Sequence, residues 1–222
     1  QIELRVLAHI SGDKNMIEAF NTNADIHTIT ASQVFNMPVE MVNSTMRSRA
    51  KAVNFGIVYG IGAYSLAKDI KVTNKEASKY IKDYLAHYSG VDEYMKNVVE
   101  KAKRDGYVET MFGRRRYLPE LSSGKHMMRA FGERVARNMP IQGTAADIMK
   151  IAMIRVDRAL RDGNLNSRIV LQIHDELVVE LAPGEEKRVT ELVRDAMEHA
   201  VNIAVPLDVS TGVGSDWQQA AH

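Results

Sequence analysis

The hydrophobic pattern changes period several times along the chain, and those changes predict its elements. Residues Ile2 to His9 run apolar with little interruption and predict a buried strand feeding a helix. From Asp13 to Ala31 short helices are expected, punctuated by Asn21, Asn23 and Asp25. Pro38 opens another short helix through about Asn43. Ser44 or Thr45 then caps a long helix from about Met46 to Tyr59, ended by Gly60 and Gly62. Asn74 begins an amphipathic helix with Ala77, Tyr80, Ile81 and Tyr84 on one face. A further helix runs from Val91 to Asp105 and stops at Gly106. Tyr107–Met111 and Arg115–Leu118 flank a Phe-Gly turn and predict a small hairpin.

Helix is expected again from Lys125 to Met139, where Pro140 interrupts it, and from Ala145 to Leu160, ended by Gly163. The strongest β signal follows, in Arg168–His174 and Leu177–Leu181. Pro183 starts a last helix through Ile203, and Val205–Val213 predicts a final strand. Helices inserted between sheet pieces make an α+β layout.

Composition adds little to that picture. The 222 residues carry 45% hydrophobic and 26% charged positions, ordinary for a globular chain. No run of eighteen apolar residues predicts a membrane span, and no charged-then-apolar leader opens the chain. Cysteine is absent, which excludes disulfides and thiolate metal sites and fits a cytoplasmic protein. The net charge is +1, but it is unevenly spread. Lys101–Arg137 holds ten Lys/Arg against four Asp/Glu, and Asp175–His222 holds three against ten. A basic segment suits phosphates, and it equally suits a solvated helix face.

Three groups of residues carry candidate chemistry. In RIVLQIHDELVVEL two apolar strands join at His174-Asp175-Glu176, where two carboxylates sit on a rigid support. Like charges there repel unless a cation lies between them, so the tip is either half of a Mg²⁺ site or an acidic turn that keeps the hairpin soluble. Arg47, Lys51, Phe55 and Tyr59 recur every fourth residue and form one drifting helical stripe. Arg47 and Phe55 lie about 12 Å apart along such a helix, roughly the span from the phosphates to the base of a nucleoside triphosphate. Both cations sit near the helix N-terminus, where the helix dipole disfavours them; a bound polyanion offsets that cost. Arg134, Asn138 and Gln142 are also spaced by four. They suit either the minor-groove acceptors shared by every base pair or a buried polar stripe satisfied by backbone.

Taken together these segments resemble family A DNA polymerases, the bacterial polymerase I group. RSRAKAVNFGIVYG is similar to the family's fingers-helix motif, ERVARNMPIQGTAADIMK to a palm helix motif and LQIHDELVVE to the palm hairpin motif. The ending GSDWQQAAH is similar to the family's C-terminus, and QIELR to the tail of its DYSQIELR motif. The resemblance spans the whole chain. It implies a mostly helical fingers part inserted in an antiparallel-sheet palm: 1–15 palm with a truncated first strand, 16–129 fingers, and 130–222 palm with the catalytic hairpin.

The resemblance also implies roles for particular residues. Asp175 is a metal ligand, Glu176 an accessory carboxylate, and two Mg²⁺ ions serve the intact enzyme. Arg47 and Lys51 face the nucleotide phosphates, Lys51 also as proton donor to pyrophosphate, with His27 nearby. Phe55 packs on sugar and base, and Glu3 with Tyr59 excludes a 2′-hydroxyl. Arg134, Gln142 and His174 contact the primer-template minor groove, supported by Asn138. Arg114, Arg115 and Arg116 suit duplex or template phosphates. The implied partners are primer-template DNA and dNTPs, with no membrane and a monomeric intact enzyme. A chain without the remaining palm strands exposes a sheet edge, which favours self-association.

A nucleic-acid-binding module without catalysis competes with this reading. A P-loop ATPase does not, because no GxxxxGK[ST] run is present. A phage-type RNA polymerase shares related palm logic, but Glu3 and the NFG run at Phe55 favour DNA synthesis. The family's first metal-binding Asp is expected three residues before Gln1. The 222 residues alone are therefore expected not to extend a primer. A template-dependent extension assay with this chain checks that, and clean extension contradicts it.

Overall fold

A computed structural model describes residues 1–220; Ala221 and His222, the last two residues of the GSDWQQAAH ending, lie outside the described part. The expected opening strand is a helix, α1 (Ile2–Ser11). Its five consecutive residues Leu4, Arg5, Val6, Leu7 and Ala8 are all buried, so α1 is enclosed on every side. A helix with no solvent face shows no 3.6-residue period, and a short apolar run of this kind is ambiguous between buried helix and strand.

The short helices α2 (Lys14–Asn21) and α3 (Ile26–Phe35) follow, then a single 3₁₀ turn at Val39–Met41. The long helix α4 spans Ser44–Val58, capped by the Asn43 side chain on the Met46 amide. Next come α5 (Ala63–Ile70), α6 (Asn74–His87) and α7 (Ser89–Asp105). The helix α5 had no counterpart in the sequence reading. Thr73 and Glu76 form a capping box at the start of α6. A buried aspartate fixes how two of these helices meet. Asp13 caps α2 by accepting from the Met16 amide, and its other oxygen accepts from the Gly90 amide in the first turn of α7.

The hairpin β1 (Tyr107–Glu109) and β2 (Arg115–Tyr117) is antiparallel, with Tyr107 opposite Tyr117. Beyond a 3₁₀ turn at Pro119–Ser122, α8 runs unbroken for 37 residues, His126–Asp162. The predicted interruption at Pro140 is absent. Proline removes one backbone donor, but Pro140 is buried between the buried Ala136 and Ile141, and packing of that face holds the helix together. The boundary expected at 129/130 therefore falls inside a continuous helix.

The second hairpin joins β3 (Arg168–Ile173) to β4 (Glu176–Glu180), with Arg168 opposite Glu180 and an irregularity between Ile169 and Leu171. One face packs Ile169, Leu177, Val179 and Leu181 against Val156 and Leu160 of α8 and Val189 and Val193 of α9 (Glu186–Glu198). Val170 and Leu171 stay exposed at 52% and 46%, so the rest of β3 is uncovered. The expected last strand at Val205–Val213 pairs with no strand among the described residues. Side chains hold it instead. Arg5 donates to the Pro206 carbonyl and the Asp208 carboxylate, and the Val209 amide donates to Glu198. A short helix, α10 (Trp217–Ala220), closes the described part. Helices around two small antiparallel sheets give an α+β architecture, as expected.

Substituting Asp13→Ala strands two buried backbone donors at once and is expected to cost about 2–4 kcal/mol. Asp13→Asn keeps one acceptor and should cost clearly less. Urea denaturation of the two variants measures the difference.

Candidate functional site

The stripe on α4 is pinned at both ends. At its N-terminal end the Arg47 guanidinium donates to Asp25, the N-cap residue of α3. At its C-terminal end the Tyr59 hydroxyl donates to Glu3 in the first turn of α1. Between these points the rings of His27, Phe55 and Tyr59 form a row, with centroid spacings of 6.1 and 6.2 Å. Phe55 and Tyr59 are stacked, their planes 25° apart. Lys51 is exposed on the same stripe.

These contacts tune the groups they join. Burial alone would raise the Asp25 carboxyl, but hydrogen bonds from Arg47 and Thr28 outweigh it and hold the group down at about 2. Burial and the Glu3 acceptor push the Tyr59 hydroxyl up to about 12, against an opposing influence of the nearby Gln142 amide. Tyr59 thus stays protonated and remains a donor. His27 is buried at 2% exposure, and its Nδ1 meets the Asn54 amide nitrogen at 2.9 Å. Asn54 in turn accepts from Thr30 at 2.9 Å. Burial lowers the His27 pKa, and the charges of Arg47 and Lys51 lower it further, against the pull of Asp25.

The end of α4 abuts α8. Gly60 turns with φ 72°, and a Cβ there would lie 3.7 Å from Arg137 Nη1 and 3.8 Å from Arg134 Cγ. Because α8 is unbroken, Arg134, Asn138 and Gln142 share one face of it despite Pro140. Arg134 lies over the Phe131 ring at 5.9 Å, and Asn138 Oδ1 is buried without a partner.

The acidic tip is tighter than the expected three-residue join. Glu176 is already in β4, paired with Ile173, so only His174 and Asp175 turn. His174 takes a left-handed φ of 49°, the conformation a two-residue hairpin demands, and its carbonyl accepts from Gln172 at 2.7 Å. Asp175 and Glu176 are exposed. They border a cleft of about 700 Å³ whose lining also includes Gln1, Ile2, Arg5 and Asp208. A smaller hollow of about 170 Å³ is lined by Gln1, Arg5, Asp25 and Arg47 among others. Gln1 and Arg5 belong to both, so the first turn of α1 is the common wall between the acidic tip and the cationic end of α4. Among the described residues no three His, Asp or Glu side chains gather as a metal-binding group. The tip offers two adjacent carboxylates, the kind of oxygen donor that hard cations take.

The family profile described as DNA polymerase family A matches residues 1–219. The chain belongs to DNA polymerase family A. It is 50% identical over 222 residues to DNA polymerase I of Mycobacterium tuberculosis H37Rv, covering 100% of this chain and 25% of that protein. It is 52% identical over 221 residues to DNA polymerase I of Bacillus subtilis 168, covering 99% of this chain and 25% of the relative. Among solved structures, it resembles the POL domain of Pol1 from M. smegmatis in complex with DNA primer-template and dNTP. The TM-score is 0.96 at 48% identity, over 100% of this chain and 39% of that one. The chain spans about a quarter of the length of the curated relatives it matches.

Within this family A chain, the basic residues expected to face phosphates are differently engaged. Arg114 Nε donates to Asp147 at 2.9 Å, and Thr110 donates to the other oxygen of the same carboxylate, also at 2.9 Å. Arg115 pairs with Glu109 at 3.1 Å and lies 4.4 Å over the Tyr107 ring, while Arg116 is exposed. Arg114 thereby anchors the hairpin turn to α8. Sequence reading missed Asp25, Asn54 and the Arg5–Asp208 pair. Asn54 carried a signal, as a polar residue on the inner face of an otherwise apolar turn. Asp25 reads only as punctuation between short helices, and Asp208 carries no signal.

Asp25 should titrate well below an ordinary aspartate. Its folded pKa lies under the unfolded value near 3.8, so its contribution to stability is full above about pH 4 and fades as pH falls toward 2. Carboxyl NMR titration should give a midpoint near 2, rising in Arg47→Ala. A midpoint unmoved by Arg47→Ala would count against the pairing.

Proposed function

We propose that these residues form the nucleotide-binding and primer-template-facing portion of a template-directed DNA polymerase. In that enzyme a primer 3′-hydroxyl attacks the α-phosphate of an incoming dNTP in replication and repair. The reading is supported chiefly by one observation: a helix face of cations and stacked rings, tied to α1 by Tyr59–Glu3, shares the α1 wall with an acidic hairpin tip. On this reading residues 16–129 act as fingers and 1–15 with 130–222 as palm.

Arg47 and Lys51 neutralise phosphate charge, and Lys51 gives its proton to the departing pyrophosphate. Phe55 packs on the sugar and base; a phenyl ring offers no hydroxyl in place of a missing 3′-OH, which disfavours dideoxynucleotides. Glu3, held by Tyr59, forms a floor with no space for a 2′-hydroxyl. His27 supports the phosphate end from beneath, through Asn54 and α4. Arg134, Gln142 and His174 donate to the minor-groove acceptors that all base pairs share, with Asn138 behind them. Arg115 and Arg116 approach backbone phosphates, while Arg114 holds their turn in place. Asp175 would supply one ligand to a divalent cation such as Mg²⁺, with Glu176 as an accessory carboxylate. When bound, a pair of such ions stabilises charge on the attacking and leaving oxygens.

In the full-length polymerase, Lys51→Ala should reduce kcat/KM for dNTP by about 10²–10³. Its effect on primer-template Kd should stay under roughly threefold, because one phosphate-neutralising contact removed from the nucleotide leaves the duplex contacts intact. Equal losses in single-turnover incorporation and in duplex binding would sink the reading.

A further inference from the structure

The Arg47–Asp25 pair lies at the phosphate end of the stripe, and its geometry divides the labour of one carboxylate. Asp25 Oδ1 accepts from the backbone amides of His27 and Thr28, at 3.0 and 3.2 Å, and so caps α3. Asp25 Oδ2 accepts from the Thr28 hydroxyl at 2.9 Å and from Arg47 Nε. One oxygen therefore builds the helix and the other holds the arginine. The pair borders the hollow of about 170 Å³, which has the volume of roughly five waters. Both side chains are partly exposed, Arg47 at 44% and Asp25 at 40%, so a solute anion can reach the pair.

We propose that Asp25 is a latch on Arg47: in the nucleotide-free site its Oδ2 stands in for a phosphate oxygen, and an incoming triphosphate must take Arg47 from it. The inference rests on the assignment of Arg47 to the nucleotide phosphates. A guanidinium is shared poorly between two anions, so the affinity of any ligand needing Arg47 is reduced by the fraction of sites in which the arginine is held. A triphosphate, carrying more charge than one carboxylate, wins that exchange. A weaker anion loses it, and the site is shielded from being filled by anions that cannot react. The depressed Asp25 pKa is consistent with this, because it reflects the hydrogen bonds that Arg47 and Thr28 give to the ionised carboxylate. Asp25 acts through Arg47 and is a positioning residue.

The division of labour supplies a clean test. Asp25→Asn retains an Oδ1 acceptor for the α3 cap and replaces the Arg47 acceptor with a donor. The variants D25N, R47A and D25N/R47A are made in the full-length polymerase. Binding of dNTP and of inorganic tripolyphosphate to the enzyme–primer-template complex is measured by equilibrium titration, with thermal melts as a check on folding. D25N should bind both ligands about two- to fivefold more tightly, the range of a partly exposed ion pair, while still melting cooperatively at a lowered temperature, because the ionised carboxylate contributes stability at neutral pH. In the R47A background the same substitution should have no effect. Unchanged or weaker binding in D25N, or an equal gain in the R47A background, overturns the latch. If R47A alone leaves dNTP affinity intact, the assignment of Arg47 to the phosphates fails instead.

Discussion

The enclosure of α1 is the constraint on which the site depends. Leu4, Val6, Leu7 and Ala8 are fully buried, and each large apolar side chain so placed contributes about 1.5–3 kcal/mol of transfer free energy. That burial fixes the helix axis and therefore the residues of its first turn. Glu3 projects toward Tyr59, and Arg5 toward Pro206 and Asp208, while Gln1 lines both hollows. Two segments distant in sequence, the end of α4 and the C-terminal segment, are thereby held to one short helix, which also lines the cleft beside the acidic tip. A site built on a rigid enclosed element keeps its geometry better than one built on loops.

The stripe on α4 shows how the fold accommodates charges it would otherwise disfavour. Two cations stand in the N-terminal half of a helix, where the dipole opposes them. Arg47 is offset by Asp25, whose own charge is favoured at the N-terminus of α3. Lys51 is left to solvent. Farther along, the stripe turns aromatic, and the hydroxyl of Tyr59 is satisfied by Glu3 where it meets the buried wall.

Much of this was legible in the sequence, and the failures share a physical cause. Amphipathic helices such as α6 announce themselves because one face meets water, whereas the cap of α4 is Asn43 rather than the expected Ser44 or Thr45. The Asp-Glu tip and both four-residue stripes were visible for similar reasons. The enclosed α1 has no polar face, so its periodicity vanished and it read as a strand. Val205–Val213 read as a strand because extended backbone is extended whether or not a partner lies beside it; here Arg5 and Glu198 replace the ladder. Pro140 read as a break because local rules ignore the packing on either side of it. Asp25, Asn54 and Asp208 acquire meaning only from residues far away in sequence.

Charge counting meets the same limit from the other direction. By count the basic stretch Lys101–Arg137 suits either phosphates or a solvated helix face, and several of its cations are engaged within the protein. Lys101 meets Asp105, Lys103 meets Glu133 and Arg115 meets Glu109. Those acids belong to the same stretch, so its ten-to-four balance already contains them and the net field is unchanged. Arg114 differs, because Asp147 lies outside the stretch and neutralises it from α8. Asp147 is 5% exposed and also bound to Thr110, so withdrawing Arg114 toward a phosphate would leave a buried carboxylate short of a countercharge. Arg115 and Glu109 are both partly exposed, far more than Asp147, and their exchange for a phosphate costs less. Two adjacent arginines with the same formal charge are therefore unequal as phosphate ligands, and the difference is set by the burial of their partners.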